Sequence, residues 1–461
     1  MGKSILRGSH EVSRSPKTAR MQNKYDYACP EHQGLEKKFY YMFNNNFNPT
    51  LVSAVQEQFI QPLKAAYALT RTRQCPAESD WDWLLKGVER VLHNCRSGRD
   101  FLQSHEPFWD NPLTVSAYFN KLSSRRRLKM VEECAQILCR RVDDSRSSPL
   151  AIYKELADFD LFAGDGHYLA APTHADKREG TAWATGHFFA LNLHTQTLTL
   201  LALADQTKRK LEQDQHMLKR LSSTDLRMGA PKGRKVLWTW DLAGTDLELW
   251  DRLRHKGVYF LSRCKTNLCL AVEKTRPIAD LPINQGVESD LVVSDRRGIR
   301  LREITYRDPN DNKVYVYLTS EMNLEPGMLA LLYKTRWDIE KTYDETKTKL
   351  QERKSWGTSV TAKQMQAQFM AITHNLLLLV QDLHAAQGVE NQAESQRRQK
   401  RLEQQEQALA LKRETLPVLY RVCARFTQAS FKLIRWLRTH WHHPTSLVQA
   451  LLHLRALYAK L

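Results

Sequence analysis

Four side chains able to bind an anion or a metal ion are spaced along one predicted helix: Tyr333, Arg336, Glu340 and Lys347. At about 100° per residue they fall within about 60° of one another, so they share one narrow stripe. Such a stripe is usually apolar and faces a core, whereas three of these four residues are charged. Spacing alone leaves two interpretations open: a stripe that faces a cleft, or a solvated face with intrahelical pairs such as Glu340 with Arg336.

Two aspartates, Asp165 and Asp241, follow apolar runs that predict interior strands. Sheets of α/β proteins place ligands at the carboxyl ends of such strands, and the glycines beside Asp165 allow a metal ion to approach closely. With Glu340 they supply the hard oxygen ligands that Mg²⁺ or Mn²⁺ prefers. Two ions about 3.5 to 4 Å apart would activate the attacking oxygen and stabilise the leaving oxygen of a phosphodiester.

A change of hydrophobic period near Leu161 predicts the elements that position the two aspartates. Three hairpin-connected strands are followed by alternating helices and strands, near residues 161–170, 186–195, 198–205, 208–221, 235–241, 245–257 and 258–263. This order predicts a mixed α/β sheet with helices on its faces. We therefore predict a catalytic core whose first part spans 151–266.

The segment after this first part changes character again. Residues 267–326 contain extended runs with Pro, Asp and Gly at the turns, which predicts an all-β insertion. A long helix then begins at Pro326 and carries the charged stripe. The second part of the core is predicted to span 327–387.

The regions that flank the core are predicted to be basic or helical. They are a flexible basic arm (1–25), a helical DNA-binding region (26–150), a polar helical linker (388–414) and a basic helical carboxyl-terminal region (415–461). Within the second of these, Arg125, Arg126 and Arg127 form a cluster with two open interpretations, a solvated face or a phosphate contact.

Charge points to a polyanionic partner. Lys and Arg number 69 against 51 Asp and Glu, a formal net charge of +18, and nucleic acid fits this excess better than a membrane surface does. No apolar run is long enough to span a bilayer, and the first 20 residues have no apolar signal-peptide region. We expect a cytoplasmic, nucleoid-associated bacterial protein with no membrane contact.

Cysteine and histidine patterns indicate no zinc site. The eight cysteines include no Cys-x-x-Cys pair, so we expect reduced thiols. The run from His440 to His443 lies between helical stretches and just before Pro444, which indicates a solvated turn rather than a metal site.

The stretch LYKTRWDIEKTYDETK resembles a known signature. Its pattern, Tyr-x-x-Arg-x-x-x-Glu-x-x-x-x-x-x-Lys, is similar to that of bacterial insertion-sequence transposases of the insertion sequence four family. The order of a strand-end Asp, the Asp in VLWTWDLAGTD, the strand VYFLSR, a β insertion and then this helix also resembles the family. The likeness runs from about Leu161 to Lys349.

The resemblance implies a ribonuclease H-like catalytic core interrupted by the β insertion. Asp165, Asp241 and Glu340 would form the catalytic, metal-binding triad for two Mg²⁺ or Mn²⁺ ions. DNA phosphates near the transposon end would be contacted by the other stripe residues Tyr333, Arg336 and Lys347. Such enzymes cut DNA with water and join the freed 3'-hydroxyl to target DNA, with a homodimer holding two ends.

Two further residues near the expected site receive weaker roles. Arg263 ends a strand and is either a phosphate contact or part of a structural ion pair, while His167 would at most support a metal ligand.

Other functions remain open from the sequence. One alternative is a ribonuclease H-like nuclease or resolvase, and another is a non-catalytic DNA-binding protein derived from a transposase. An RNA-binding or structural protein would explain the net charge but not the ordered carboxylates.

Overall fold

The computed structural model describes residues 53–71, 79–93, 95, 97–109, 112–170, 184–204, 212–308, 312–350, 352–411 and 428–459. The predicted basic arm (1–25), three of the eight cysteines and parts of the predicted helix 208–221 and linker 388–414 lie outside these residues. The five cysteines that are described are all free thiols.

Nine strands of the described residues form one mixed sheet. They are β1 (Phe159–Ala170), β2 (Ala184–Asn192), β3 (Leu198–Leu203), β4 (Lys235–Thr239), β5 (Val258–Arg263), β6 (Ala271–Thr275), β7 (Val287–Ser294), β8 (Arg300–Arg307) and β9 (Val314–Thr319). Their order is β3-β2-β1-β4-β5-β9-β8-β7-β6. The predicted mixed α/β sheet is thus confirmed.

The first five strands form the part of the sheet that bears the two predicted aspartates. β1 pairs in parallel with β4 and β4 with β5, whereas β2 is antiparallel to both β1 and β3. β4 is buried almost throughout, as expected for a strand with apolar side chains on both faces. This arrangement is consistent with a ribonuclease H-like core.

The predicted β insertion extends the same sheet rather than forming a separate layer. β9 pairs antiparallel with β5 through Leu261, Ser262 and Arg263, and β8, β7 and β6 follow outwards. Pairing with β9 satisfies the backbone groups of β5, which would otherwise be an open edge. The alternating residues predicted that this segment forms strands, but they did not predict that β9 would pair with β5.

Helices before and after the sheet share one apolar core. Before it lie α1 (Ala54–Tyr67), α2 (Asp80–Leu92), α3 (Gly98–His105), α4 (Val115–Leu122) and α5 (Arg125–Ser145). After it lie α11 (Val360–Ala386), α12 (Gln392–Ala410), α13 (Gln428–His440) and α14 (Leu447–Ala459). Trp83, Phe369 and Trp436 are buried in this core, so the two flanking regions, predicted as separate, pack together around α11.

Five shorter helices lie between these two sets. They are α6 (Asp214–Arg220), α7 (Ser223–Leu226), α8 (Leu247–Arg254), α9 (Pro326–Thr335) and α10 (Trp337–Asp344). No helix among the described residues is long and apolar enough to cross a bilayer.

The predicted long helix from Pro326 is not continuous. Arg336 separates α9, which ends at Thr335, from α10, which begins at Trp337, and a π-helical turn, Glu345–Lys349, follows α10. A π turn has more residues per turn than an α-helix, so Lys347 leaves the stripe calculated for a straight helix.

Candidate active site

The two predicted aspartates lie at the same level of adjacent parallel strands. β1 and β4 are in register up to the pair Ala163 and Thr239, and Asp165 and Asp241 each come two residues after that pair. Side chains two residues apart on a strand point to the same face. β4 itself ends at Thr239, and the charge of Asp241 raises the pKa of Asp165, so the two carboxylates lie close together at one edge of the sheet.

The Trp240 ring packs directly against the backbone at Gly164, and this packing fixes the spacing of the chain at this edge. A Cβ atom added at Gly164 would lie 2.1 Å from the Trp240 ring, so any larger residue would push apart the chain segments that bear Asp165 and Asp241. Asp241 also ends β4 with a local cap, because its Oδ1 accepts a 2.7 Å hydrogen bond from the Ala243 amide.

A third carboxylate, Asp214, joins the two aspartates and was missed by the sequence analysis. It begins α6, which is tied to the chain beyond Asp241 by the Lys219–Asp246 ion pair of 2.8 Å and by a hydrogen bond from Gln215 to Asp246. Its Oδ1 is buried without a hydrogen-bond partner in the described part of the chain. The polar sequence around Asp214 contains no pattern that distinguishes it.

The carboxylates in this group repel one another. Burial, Asp214 and then Asp241 raise the pKa of Asp165 to about 7, and burial and Asp241 raise the pKa of Asp214 to about 6. Buried, mutually repelling carboxylates gain most from a bound cation, and their oxygens suit a hard divalent ion. The donor set therefore fits Mg²⁺ or Mn²⁺.

The helix that carries Glu340 packs on the same face of the sheet. Ile339 and Tyr343 share an apolar core with Leu161, Ala163 and Leu237, which lie on the aspartate face of β1 and β4. The Tyr343 hydroxyl donates a 2.6 Å hydrogen bond to the backbone carbonyl of Asp165. α10 is therefore anchored directly beside the aspartates.

Glu340 itself is paired with Arg336 rather than with the aspartates. Its Oε1 accepts a 2.7 Å hydrogen bond from Nη2 of Arg336, as the alternative interpretation of the stripe proposed. The positive charge of Arg336 also opposes the rise in the pKa of Asp165 and Asp214, so its guanidinium lies near those carboxylates as well as beside Glu340. Within the described ranges, Glu340 does not form a closely spaced ligand set with Asp165 and Asp241.

The other stripe residues differ in their exposure. Arg336 is only 5 % exposed and its guanidinium lies 5.6 Å from the Tyr333 ring centroid. Nε and Nη1 of Arg336 are buried without hydrogen bonds to described residues. Lys347 is exposed in the π turn, where its charge lowers the pKa of His167. The structure thus brings Tyr333, Arg336 and Glu340 into contact and places Lys347 in the π turn that follows.

His167 does not support a carboxylate by hydrogen bonding. Its imidazole is buried and stacks on Tyr343 at 4.9 Å between ring centroids. Neither ring nitrogen hydrogen-bonds to a described residue. His167 therefore packs against the anchor of α10, a role that differs from the predicted support of a metal ligand.

Arg263 lies at the rim of the site. It is exposed at the end of β5, 5.4 Å from the Tyr315 ring, and its charge opposes the rise in the Tyr333 pKa. No ion pair of Arg263 occurs within the residues that the structure describes. The structural ion pair proposed as its alternative role is therefore not present there.

Two members of the arginine cluster have a structural role. Arg126 makes two 2.7 Å hydrogen bonds to the Asp80 carboxylate, and the buried Arg127 lies 3.6 Å from Asp80 and over the Trp83 ring. These contacts join the start of α5 to the start of α2, so both guanidinium groups are already paired with a carboxylate of the protein. Arg125 remains exposed.

The crowding of the aspartates predicts a pH-dependent stability in the absence of metal. Because folding raises both pKa values, the protonated carboxyls favour the folded state, and this stability is lost progressively as the pH rises from about 4, the pKa of an unfolded aspartate, through the folded-state values of about 6 and 7. Asp214→Asn should therefore raise the free energy of unfolding by about 1–2 kcal/mol more at pH 8 than at pH 5. Urea unfolding in EDTA at the two pH values measures the difference.

The exposed Asp344 provides the control for this prediction. Asp344→Asn should leave the free energy of unfolding unchanged at both pH values. If Asp214→Asn were only as stable as wild type at pH 8, or less stable, the proposed repulsion among the carboxylates would be wrong.

Comparison with known proteins relates this part of the chain to one protein family. No curated protein matched the chain. Residues 158–376 match the family model described as "Transposase DDE domain", and this segment contains the three aspartates and Glu340. The chain thus contains a segment, from β1 into α11, that is similar to the DDE domain of transposases.

Proposed function

We propose that this protein is a DDE transposase that binds transposon ends, hydrolyses a phosphodiester and joins the resulting 3'-hydroxyl to target DNA. The observation that carries the proposal is the meeting of Asp165 and Asp241 at one level of adjacent parallel strands inside the DDE-like segment. The finer assignment to the insertion sequence four family rests on the Tyr333, Arg336, Glu340 and Lys347 spacing.

The proposed metal ligands are Asp165, Asp241 and Glu340, with Asp214 close enough to assist. Two bound Mg²⁺ or Mn²⁺ ions would supply activation of the attacking oxygen and stabilisation of the leaving oxygen. The aspartates are held in place by the strand register and by the Tyr343 hydrogen bond to the backbone of Asp165. Their raised pKa values mean that they bind a cation more readily once deprotonated.

Glu340 must exchange partners to complete this ligand set. Its side chain is 34 % exposed and held by Arg336, whose Nε and Nη1 are buried without hydrogen bonds to described residues. A DNA phosphate is a bidentate acceptor that suits this guanidinium. We propose that phosphate binding to Arg336 frees Glu340 to turn towards the aspartates, so that substrate helps to assemble the site.

DNA would approach along the rim that carries exposed positive charge. Arg263 and Lys347 are exposed on this rim, and Arg125 is exposed at the start of α5. The net charge of +18 favours a polyanionic ligand. Since two transposon ends must be processed together, we propose a homodimer on DNA.

A strand-transfer assay tests the proposed function. Labelled DNA ends from the sequence that flanks the gene would be incubated with the full chain, plasmid DNA and Mg²⁺ or Mn²⁺. We expect cleavage at the end and covalent joining of the 3'-hydroxyl to the plasmid. A pre-cleaved end with a 3'-deoxy terminus is the matched control and should not be joined. Cleavage without a joined product would instead indicate a nuclease or resolvase.

A further inference from the structure

A second group of metal-binding side chains lies in the helical part of the protein. It consists of Glu89 on α2, His93 just after α2, His105 at the end of α3 and His442 in the loop between α13 and α14. One ligand atom from each residue lies within 4.8 Å of all the others. Segments far apart in the sequence thus converge on one point.

The carboxylate at the centre of this group is buried and oriented. Glu89 is 1 % exposed, and its two oxygens accept hydrogen bonds from the indole nitrogens of Trp109 (2.9 Å) and Trp441 (3.0 Å). Nε2 of His442 lies 2.8 Å from Oε1 of Glu89. Each carboxylate oxygen has a second lone pair, so the two indoles fix the group without exhausting its capacity to bind a cation.

Two of the imidazoles offer unused ring nitrogens. Nδ1 of His105 lies 3.1 Å from the Phe101 carbonyl, an acceptor, so it carries the proton and leaves Nε2 with a free lone pair. Nε2 of His93 is buried without a hydrogen bond to any described residue, whereas Nε2 of His442 faces the Glu89 carboxylate. Buried polar atoms without partners are uncommon, and a bound ion is one physical explanation for them.

The electrostatics of the group favour neutral imidazoles at His93 and His105. Burial and the neighbouring His105 lower the pKa of His93 to about 3, and burial lowers the pKa of His105. Neutral imidazole is the form that binds a metal ion, so the ligands need not lose protons at neutral pH.

We propose that Glu89, His93, His105 and His442 bind one Zn²⁺ ion that fastens the carboxyl-terminal helices to the amino-terminal helices. Three nitrogen ligands and one oxygen suit Zn²⁺ rather than Mg²⁺. Four protein ligands fill a tetrahedral shell and leave no position for water, which is the arrangement of a structural site. With ligand bonds of about 2.0–2.2 Å, the side chains would draw together by roughly 1 Å.

The site is separate from the proposed catalytic carboxylates. Its surroundings belong to the core formed by α1–α5, α11, α13 and α14, whereas Ala163 and Leu237 beside the aspartates belong to another core. The metal would cross-link α2 and α3 to the loop after α13 much as a disulfide does. This role requires neither DNA binding nor catalysis.

Metal analysis of the full chain tests the proposal. Protein loaded with Zn²⁺ and desalted should retain one Zn²⁺ per chain, measured by mass spectrometry of the metal. His442→Gln should lose this ion, whereas the matched control His443→Gln, at the exposed neighbouring position, should retain it. Asp241→Asn should also retain it. Retention by His442→Gln, or loss by Asp241→Asn or His443→Gln, would overturn the assignment.

A measurement on the wild-type chain keeps the test independent of variant folding. Metal-stripped protein titrated with Co²⁺ should develop the visible absorption of a tetrahedral complex, and added Zn²⁺ should displace it at one equivalent. Zn²⁺ should also raise the melting temperature by several degrees in wild type and His443→Gln. An absence of tetrahedral Co²⁺ absorption, or a melting temperature unchanged by Zn²⁺, would rule out the site.

Discussion

Asp241→Asn is expected to lower metal-dependent DNA cleavage by about a thousandfold or more. The change removes a negative ligand while the amide oxygen can still accept the hydrogen bond from the Ala243 amide, so the turn after β4 should persist. A thousandfold loss corresponds to about 4 kcal/mol of transition-state stabilisation, a plausible share for a ligand that holds catalytic metal ions. Single-turnover cleavage of end DNA measures the effect.

Two controls make this result specific. Gel-shift binding of end DNA and the melting temperature should match those of wild type, which separates a catalytic defect from misfolding. Asp251→Asn, on α8 in an ion pair of 2.6 Å with Arg254, should cleave normally. Full activity of Asp241→Asn would show that the assigned triad is wrong.

Arg302→Met is expected to destabilise the protein by up to about 3–5 kcal/mol, the usual cost of breaking a buried ion pair, because only the more exposed Arg276 would remain to pair with Asp290. Arg302 and Asp290 are each 1 % exposed and form two 2.7 Å hydrogen bonds between β8 and β7. Arg302 also donates to the carbonyl of Leu324, just before α9. The variant should therefore weaken both the outer strands and the connection that leads to Glu340. Urea unfolding of the full chain measures the change.

Arg307 provides the matched control, since it also lies on β8 and pairs with a carboxylate of β7. Its ion pair with Glu288 is about 40 % exposed on both sides, and such pairs contribute about 0–1 kcal/mol. Arg307→Met should therefore change the free energy of unfolding by less than about 1 kcal/mol. Equal losses in the two variants would mean that burial does not set the strength of the Arg302–Asp290 pair.

Local periodicity was sufficient to predict the strands that carry the aspartates. The apolar runs before Asp165 and Asp241 belong to β1 and β4, and parallel pairing places the two side chains at one level. The same reasoning found the helix of Glu340 but not its interruption at Arg336 or the π turn. Those departures depend on packing against the sheet, which a single helix does not encode.

The roles of charged residues could not be predicted from the sequence, because each role depends on which distant residues the side chain contacts. Arg126 and Arg127 bind Asp80, more than forty residues earlier in the sequence, and so serve the packing of α2 and α5. Asp214 is ordinary in sequence and becomes notable only because α6 places it beside Asp165 and Asp241. The histidines after α13 were interpreted as a solvated turn, yet Trp441 is fully buried and His442 contacts Glu89.

The sequence by itself was enough to predict that Asp165 and Asp241 follow strands and that a charged helix carries Glu340, because the hydrophobic period of a segment is a local property. Only the tertiary structure decided that Asp214 joins the aspartates, that Glu340 is held by Arg336, and that β9 extends the sheet beside β5. It also decided that His442 meets Glu89, 353 residues before it in the chain. These contacts depend on which distant segments bury their surfaces together, and no local pattern specifies that choice.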